Sequence, residues 1–294
     1  MDREGFELHR NDIPEDVLNA IDFRNFKDVV TKYYPEIEKF VKKVTKADHV
    51  FCFDHNIRRS AYVEQKNTNI KTQPPIPQIH TDYTPTSAPR RLLDLTKRPK
   101  VNDSYACFRA PEDADKPLIP KELAEKCKRF CIINVWRSVS DEGPIQQYPL
   151  AVCAANTLKY PDDFVVFEIQ YQDRIGENWF VRDSGDPHHK WFYFPQMAKN
   201  EALIFKQWDS EGRVQREVVK ELLETLEKRE DIPIREFKQF IEKTSSLSGQ
   251  GNANEGFSDF CIHSAFPGPD EDKLNVEDVP ARESIEVRLF VLYE

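Results

Sequence analysis

No stretch of this chain approaches the roughly 20 consecutive apolar residues needed to span a bilayer as a helix. Its opening residues, Met1-Asp2-Arg3-Glu4-Gly5, also lack the apolar core of a secretory signal. A soluble, cytoplasmic protein with no membrane partner is expected. A long basic block is missing too. The 42 Lys and Arg stand against 51 Asp and Glu for a net charge of −9, so nothing can track a phosphate backbone and nucleic acid is an unexpected partner. The six cysteines, Cys52, Cys107, Cys127, Cys131, Cys153 and Cys261, include no C-x-x-C pair, which removes zinc knuckles and dithiol redox motifs and leaves reduced packing residues. No Gly/Ser-rich or acidic linker divides the 294 residues. One domain spanning residues 1–294, with insertions, is therefore expected.

What is present is mostly short, β-branched and aromatic. Phe130 to Trp136, Phe164 to Ile169, Trp191 to Phe194, Ala202 to Phe205 and Ser284 to Tyr293 read as strands and suggest an all-β core. Residues 1–77 form a flank and lead-in: Phe26 to Val44 carries apolar residues at helical spacing around Pro35, and the proline-rich Gln73 to Pro77 must run extended into His80. Between Val214 and Lys243 the period changes, with Val218, Leu222, Leu226, Phe237 and Ile241 spaced as on two amphipathic helices. The polar Thr244 to Gly256 then returns the chain to a Phe260–His263 strand. Residues 211–259 are thus expected to be a helical insertion, serving either as a mobile cover over a site or as a surface for a partner or second copy.

His80-Thr81-Asp82 carries the strongest chemical signal. In extended chain the side chains at i and i+2 share one face, so His80 and Asp82 can reach one metal together. Composition alone predicts about one His-x-acid spacing by chance, and one occurs, so the tripeptide needs company. His263 is the best remote third ligand. Two neutral imidazoles and one carboxylate leave open positions on a ferrous ion. Near the C-terminus, Arg282-Glu283-Ser284 opens a β-like run, in which an arginine fork and a hydroxyl two residues on can grip one carboxylate. Arg288 lies on the same alternating face and could replace Arg282. Arg137, in an otherwise apolar strand, must meet either an anionic ligand or a buried acid. His188-His189 is set aside, because neighbours on a strand point to opposite faces.

The ordered set His80-Thr81-Asp82, Asn134-Val135-Trp136-Arg137, Tyr148-Pro149-Leu150, Trp191-Phe192-Tyr193-Phe194-Pro195, Phe205-Lys206-Gln207-Trp208-Asp209-Ser210, His263-Ser264-Ala265-Phe266 and Arg282 to Arg288 resembles the fungal hydroxylase/desaturase family related to cephem methoxylases and gibberellin-desaturase-like proteins. The resemblance covers Gln78 to the C-terminus. It implies a mainly β fold with flanking helices, a double-stranded β-helix (jelly roll, cupin-like) core with a helical insertion. It also implies Fe(II) held by His80, Asp82 and His263, with 2-oxoglutarate and O2 as co-substrates and Arg282, Ser284, Arg137 or Arg288 on the 2-oxoglutarate. The implied reaction oxidises an unactivated C–H bond of a small molecule in secondary metabolism, by hydroxylation, desaturation or ring closure, with release of succinate and CO2. A homodimer is compatible with it. Two other classes remain: a metal-dependent β-barrel hydrolase or isomerase using the same ligands, and a non-catalytic binding protein that docks a partner on its insertion.

Overall fold

The computed structural model describes residues 1–10, 12–60, 72–159, 162–182, 188–212, 258–268 and 279–294. The expected helices within Val214–Lys243 and the Thr244–Gly256 loop lie outside the described residues. Two antiparallel sheets carry the chain. The first orders β1 (Phe6–Arg10), β9 (Glu201–Asp209), β4 (Arg129–Ser138), β11 (Glu283–Tyr293) and β2 (His49–Arg59). The second orders β6 (Phe164–Gln170), β7 (Ile175–Val181), β3 (His80–Thr81), β10 (His263–Ala265), β5 (Leu150–Cys153) and β8 (Trp191–Tyr193). They face each other as the jelly roll the sequence implied.

The first sheet buries both faces, so its central strands read as near-continuous apolar runs. One face receives the N-terminal helices, the first of which is α1 (Glu15–Asn19). α2 (Phe26–Asp28) passes through a π-helical turn at Val29–Tyr33 into α3 (Tyr34–Thr45), and Ile37, Phe40 and Val41 pack in one cluster with Ile285, Val287 and Leu289. Pro35 does not end this helical run, as its spacing suggested. It sits in the first turn of α3, directly after the π-helical turn. The other face looks across at the second sheet. Trp136, Leu203 and Phe205 meet Leu150, Val152 and Cys261 there in an apolar cluster. Beside that cluster the same inter-sheet space turns polar.

Cross-strand register shows why. Arg288 pairs with Asp54 of β2 and Asn134 of β4, Glu286 with Asn56 and Trp136, and Ser284 with Arg58 and Ser138. Alternation puts Ser284, Glu286 and Arg288 on one face of β11, and their neighbours extend that polar face onto β2 and β4. The strand expected from Phe260 starts only at His263. Phe260 to Ile262 is nevertheless buried, and the Ile262 carbonyl still accepts from the Cys153 amide at 2.9 Å.

Candidate active site

His80 and His263 are directly opposed residues of the paired strands β3 and β10. Such pairs bring side chains together on one face, and the two imidazole centroids are 4.3 Å apart. Asp82 follows His80 at the spacing that returns to that face, with Oδ1 3.6 Å from His80 Nε2. Ligand atoms from His80, Asp82 and His263 all lie within 4.8 Å of one another. The remote histidine expected from sequence thus arrives by strand pairing.

The surroundings prepare these atoms. His80 Nδ1 is 2.8 Å from the Gln78 carbonyl, so it must carry the proton, which leaves Nε2 as a lone-pair donor. Asp82 Oδ2 accepts from Arg288 Nε at 2.8 Å and from Asn134 Nδ2 at 3.2 Å. That fixes the carboxylate and turns Oδ1 toward His80. Gln207 of β9 ties the loop down, its Oε1 accepting from Thr81 Oγ1 at 3.0 Å and from the Asp82 amide at 2.8 Å. Burial alone would raise Asp82, but Arg288 and the two histidines hold its carboxyl well below the usual range. Burial pushes His263 down, and the neighbouring His80 adds to it. An ionised carboxylate beside two imidazoles is the donor set a ferrous ion takes, so these residues fit the metal.

The three arginines singled out by sequence behave differently. Arg288 is engaged by carboxylates: besides Asp82, its guanidinium reaches Glu286 at 2.9 Å and Asp54 at 3.3 Å. Arg137 meets the buried Asp12 and the Lys199 carbonyl, and lies over the Tyr33 ring. It therefore takes the buried-acid alternative and is not directed at a co-substrate. Arg282 is 2% exposed, yet among the described residues its partners are neutral: Ser284 Oγ at 3.0 Å, the Tyr148 carbonyl at 2.5 Å and the Trp136 ring. Tyr148 adopts a left-handed φ of 45°, a strained conformation for a residue of its size that aims its carbonyl at the guanidinium. Burial, with Arg58 next, pushes Arg282 down to about 9.

Arg58 was missed. It is buried on β2 opposite Ser284, hydrogen-bonded to Gln73 Oε1 and the Pro74 carbonyl. A cavity of about 450 Å³ is lined by Arg58 together with His80, Asp82, Arg288, Tyr83 and Glu177. The available signal was the Asp54-x-Asn56-x-Arg58 alternation between apolar residues, a polar face in a strand otherwise fit for a core. All six cysteines are free. Cys261, two residues before His263, donates instead to the Glu4 carbonyl at 3.2 Å. Cys107 is exposed, against the expectation that every cysteine packs inside.

Residues 1–237 match the family described as Oxidoreductase/YMDC permease-like domain. The chain belongs to that family. The matched span includes His80 and Asp82 and ends before His263. Among the described residues no helix is long and apolar enough to cross a membrane. An uncharacterized protein in the dcmA 3′ region of Methylophilus leisingeri is 41% identical over 145 residues, 47% of this chain and 65% of that protein, just under two thirds of its length. The alpha-ketoglutarate-dependent dioxygenase phiK of a fungal species is 23% identical over 100% of this chain and 79% of its own. The hydroxylase/desaturase CTB9 of Cercospora beticola is 30% identical over 60% of this chain and 52% of its own. Among solved structures, the iron and alpha-ketoglutarate-dependent endoperoxidase NvfI superposes with a TM-score of 0.63 at 22% identity, over 99% of this chain and 80% of that one, which establishes the shared jelly-roll fold. The kinship with fungal hydroxylase/desaturases expected from the motifs is borne out.

Proposed function

We propose that the protein is an Fe(II)- and 2-oxoglutarate-dependent oxygenase that oxidises a C–H bond of a small molecule, with His80, Asp82 and His263 as the iron ligands. The observation that carries this reading is the convergence of those three donors, with the Asp82 carboxylate oriented by Arg288. Ferrous iron, when bound, supplies oxidising power from O2 coupled to decarboxylation of the keto acid. The chain's own residues do the rest. The Gln78 carbonyl fixes the orientation of His80, burial keeps His263 neutral, and Arg288 and Asn134 orient Asp82. Arg282 and Ser284 form the proposed anchor for the distal carboxylate of 2-oxoglutarate, with Arg58 adding positive charge nearby. Arg282 is favoured over Arg288 as that anchor because the Arg288 guanidinium already serves three carboxylates. The named activities of the relatives, dioxygenase, hydroxylase/desaturase and endoperoxidase, support the same chemistry.

The test is anaerobic reconstitution with Fe(II), followed by measurement of succinate formed from 2-oxoglutarate on admitting O2. Succinate should form with the intact chain and be lost with His80→Ala, Asp82→Ala or His263→Ala. Metal-dependent hydrolysis or isomerisation without succinate or O2 uptake would favour the other metalloenzyme reading.

A further inference from the structure

A second cluster of ligand side chains lies apart from the triad and shares no residue with it. Asp163, His188 and His189 offer ligand atoms that all lie within 4.8 Å of one another. His188 Nε2 is 3.2 Å and His189 Nε2 2.9 Å from the same atom, Asp163 Oδ2, and the two imidazole centroids are 4.1 Å apart. On a strand, adjacent histidines would diverge. These two precede β8 in a turn, outside any strand, and there they converge, contrary to the sequence expectation that set them aside. The Asp163 side chain is 4% exposed, His188 and His189 15% and 12%, so the acid is sunk while the imidazoles keep an edge to solvent. The Lys159 amide donates to the same Oδ2 at 2.7 Å, pinning the carboxylate in place.

We propose that Asp163, His188 and His189 form a second metal site that binds a divalent cation of the zinc class. Two imidazole nitrogens and one carboxylate oxygen match the borderline donor set that zinc prefers, whereas magnesium and calcium require mostly oxygen. Solvent at the exposed imidazole edges completes a four-coordinate shell with water. Topology gives the ion a structural task. Asp163 immediately precedes β6, and His188-His189 lead into β8, and these are the two edge strands of the second sheet. An ion here clasps the starts of both edges together. Hydrogen bonds already bring the segments close: the Arg182 amide donates to the Asp163 carbonyl at 2.8 Å, and the Lys190 amide to Thr157 Oγ1 at 3.2 Å. Because the site is assembled only in the folded chain, cation binding must raise its stability.

The experiment counts zinc ions bound by the full-length, chelator-stripped chain after gel filtration, and follows Tm with and without zinc. Two zinc ions per chain are expected, one at the triad and one here. His263→Ala should retain one and still show a zinc-dependent rise in Tm; His263→Ala/His189→Gln should retain none and show no rise. Cobalt(II) provides a second readout, since four-coordinate cobalt absorbs far more strongly in the visible than six-coordinate cobalt. That absorption should be present in His263→Ala and absent once Asp163→Asn or His188→Gln is added. A His263→Ala protein that binds no zinc and gains no Tm overturns the proposal whether or not the other variants fold, and leaves a hydrogen-bonded His–Asp–His cluster only. A single zinc in the intact chain that His263→Ala leaves in place and His263→Ala/His189→Gln removes would instead count against the proposed iron ligands.

Discussion

Arg137 and Arg282 lie in neighbouring parts of the first sheet, and both are essentially sealed from solvent, at 0% and 2% exposure. Arg137 is on the face of β4 toward the N-terminal helices, where Asp12 balances its charge and the Tyr33 ring covers it. Arg282 precedes the polar face of β11 and is held by a hydroxyl, a carbonyl and an indole. Among the described residues, one region closes its charge account and the other leaves it open. Burying an unpaired cation costs several kcal/mol, so a fold retains one where something else supplies the anion. The difference separates an arginine that builds the protein from the one proposed to bind the keto acid.

The largest expected effect comes from breaking the closed side. Arg137→Met should destabilise the chain by about 3–5 kcal/mol in urea unfolding, because it strands Asp12 in the interior. The 2-oxoglutarate affinity of the protein that remains folded should be unchanged. Arg282→Met should behave oppositely. Removing a buried charge that has no carboxylate contact among the described residues should leave stability unchanged or raised by about 1–3 kcal/mol, while the 2-oxoglutarate requirement rises about tenfold to a hundredfold, the worth of a charge-assisted carboxylate contact. Equal destabilisation by the two substitutions would erase the distinction.

Arg288 falls between these cases, since it serves both fold and site. Arg288→Met should lower Fe(II) affinity about tenfold to a hundredfold by freeing Asp82 and should also destabilise the chain. Its pH signature has a fixed sign. The folded Asp82 carboxyl is held below its unfolded value, so the stabilisation it contributes is present above the unfolded pKa, near pH 4, and is lost as pH falls from there toward the folded value. The slope of stability against pH below about 4 should therefore be shallower in Arg288→Met than in the intact chain. The smallest effect is expected from Asn134→Ala, which removes one 3.2 Å hydrogen bond to Asp82 Oδ2; iron affinity should fall by no more than about tenfold, with unfolding shifted by about 1 kcal/mol.

The parts of this molecule that sequence displayed are those in which one requirement acts alone. β4, β9 and β11 are apolar on most positions and show as strands; β4 and β11 are found within two residues of their ends, while β9 runs four residues past the expected Phe205 to Asp209. His80 and Asp82 sit at a spacing that forces a shared face. β2 was hidden because it serves the site: Asp54, Asn56 and Arg58 interrupt its apolar positions with the polar face that meets β11. β5 and β7 were hidden by brevity and by glycine and charge, as in Leu150–Cys153 and the Ile175-Gly176-Glu177-Asn178 start of β7. α4 (Ser87–Leu95) contains Pro89 and consecutive arginines and carries no clear stripe to the eye, although Ala88, Leu92 and Leu95 are buried together. The fate of Arg137 could not be settled from sequence either, since its partner Asp12 lies 125 residues away.

The central claim is that His80, Asp82 and His263 hold a ferrous ion which a keto acid anchored near Arg282 can chelate. Its most direct test is the visible charge-transfer absorption that Fe(II) gains when a 2-keto acid chelates it, recorded anaerobically as 2-oxoglutarate is added to the iron-loaded chain. The account predicts that the band forms with the intact chain, saturates only at about tenfold to a hundredfold higher 2-oxoglutarate with Arg282→Met, and is absent with Asp82→Ala. A band of undiminished strength in Asp82→Ala or His263→Ala, or none in the intact chain, would contradict it.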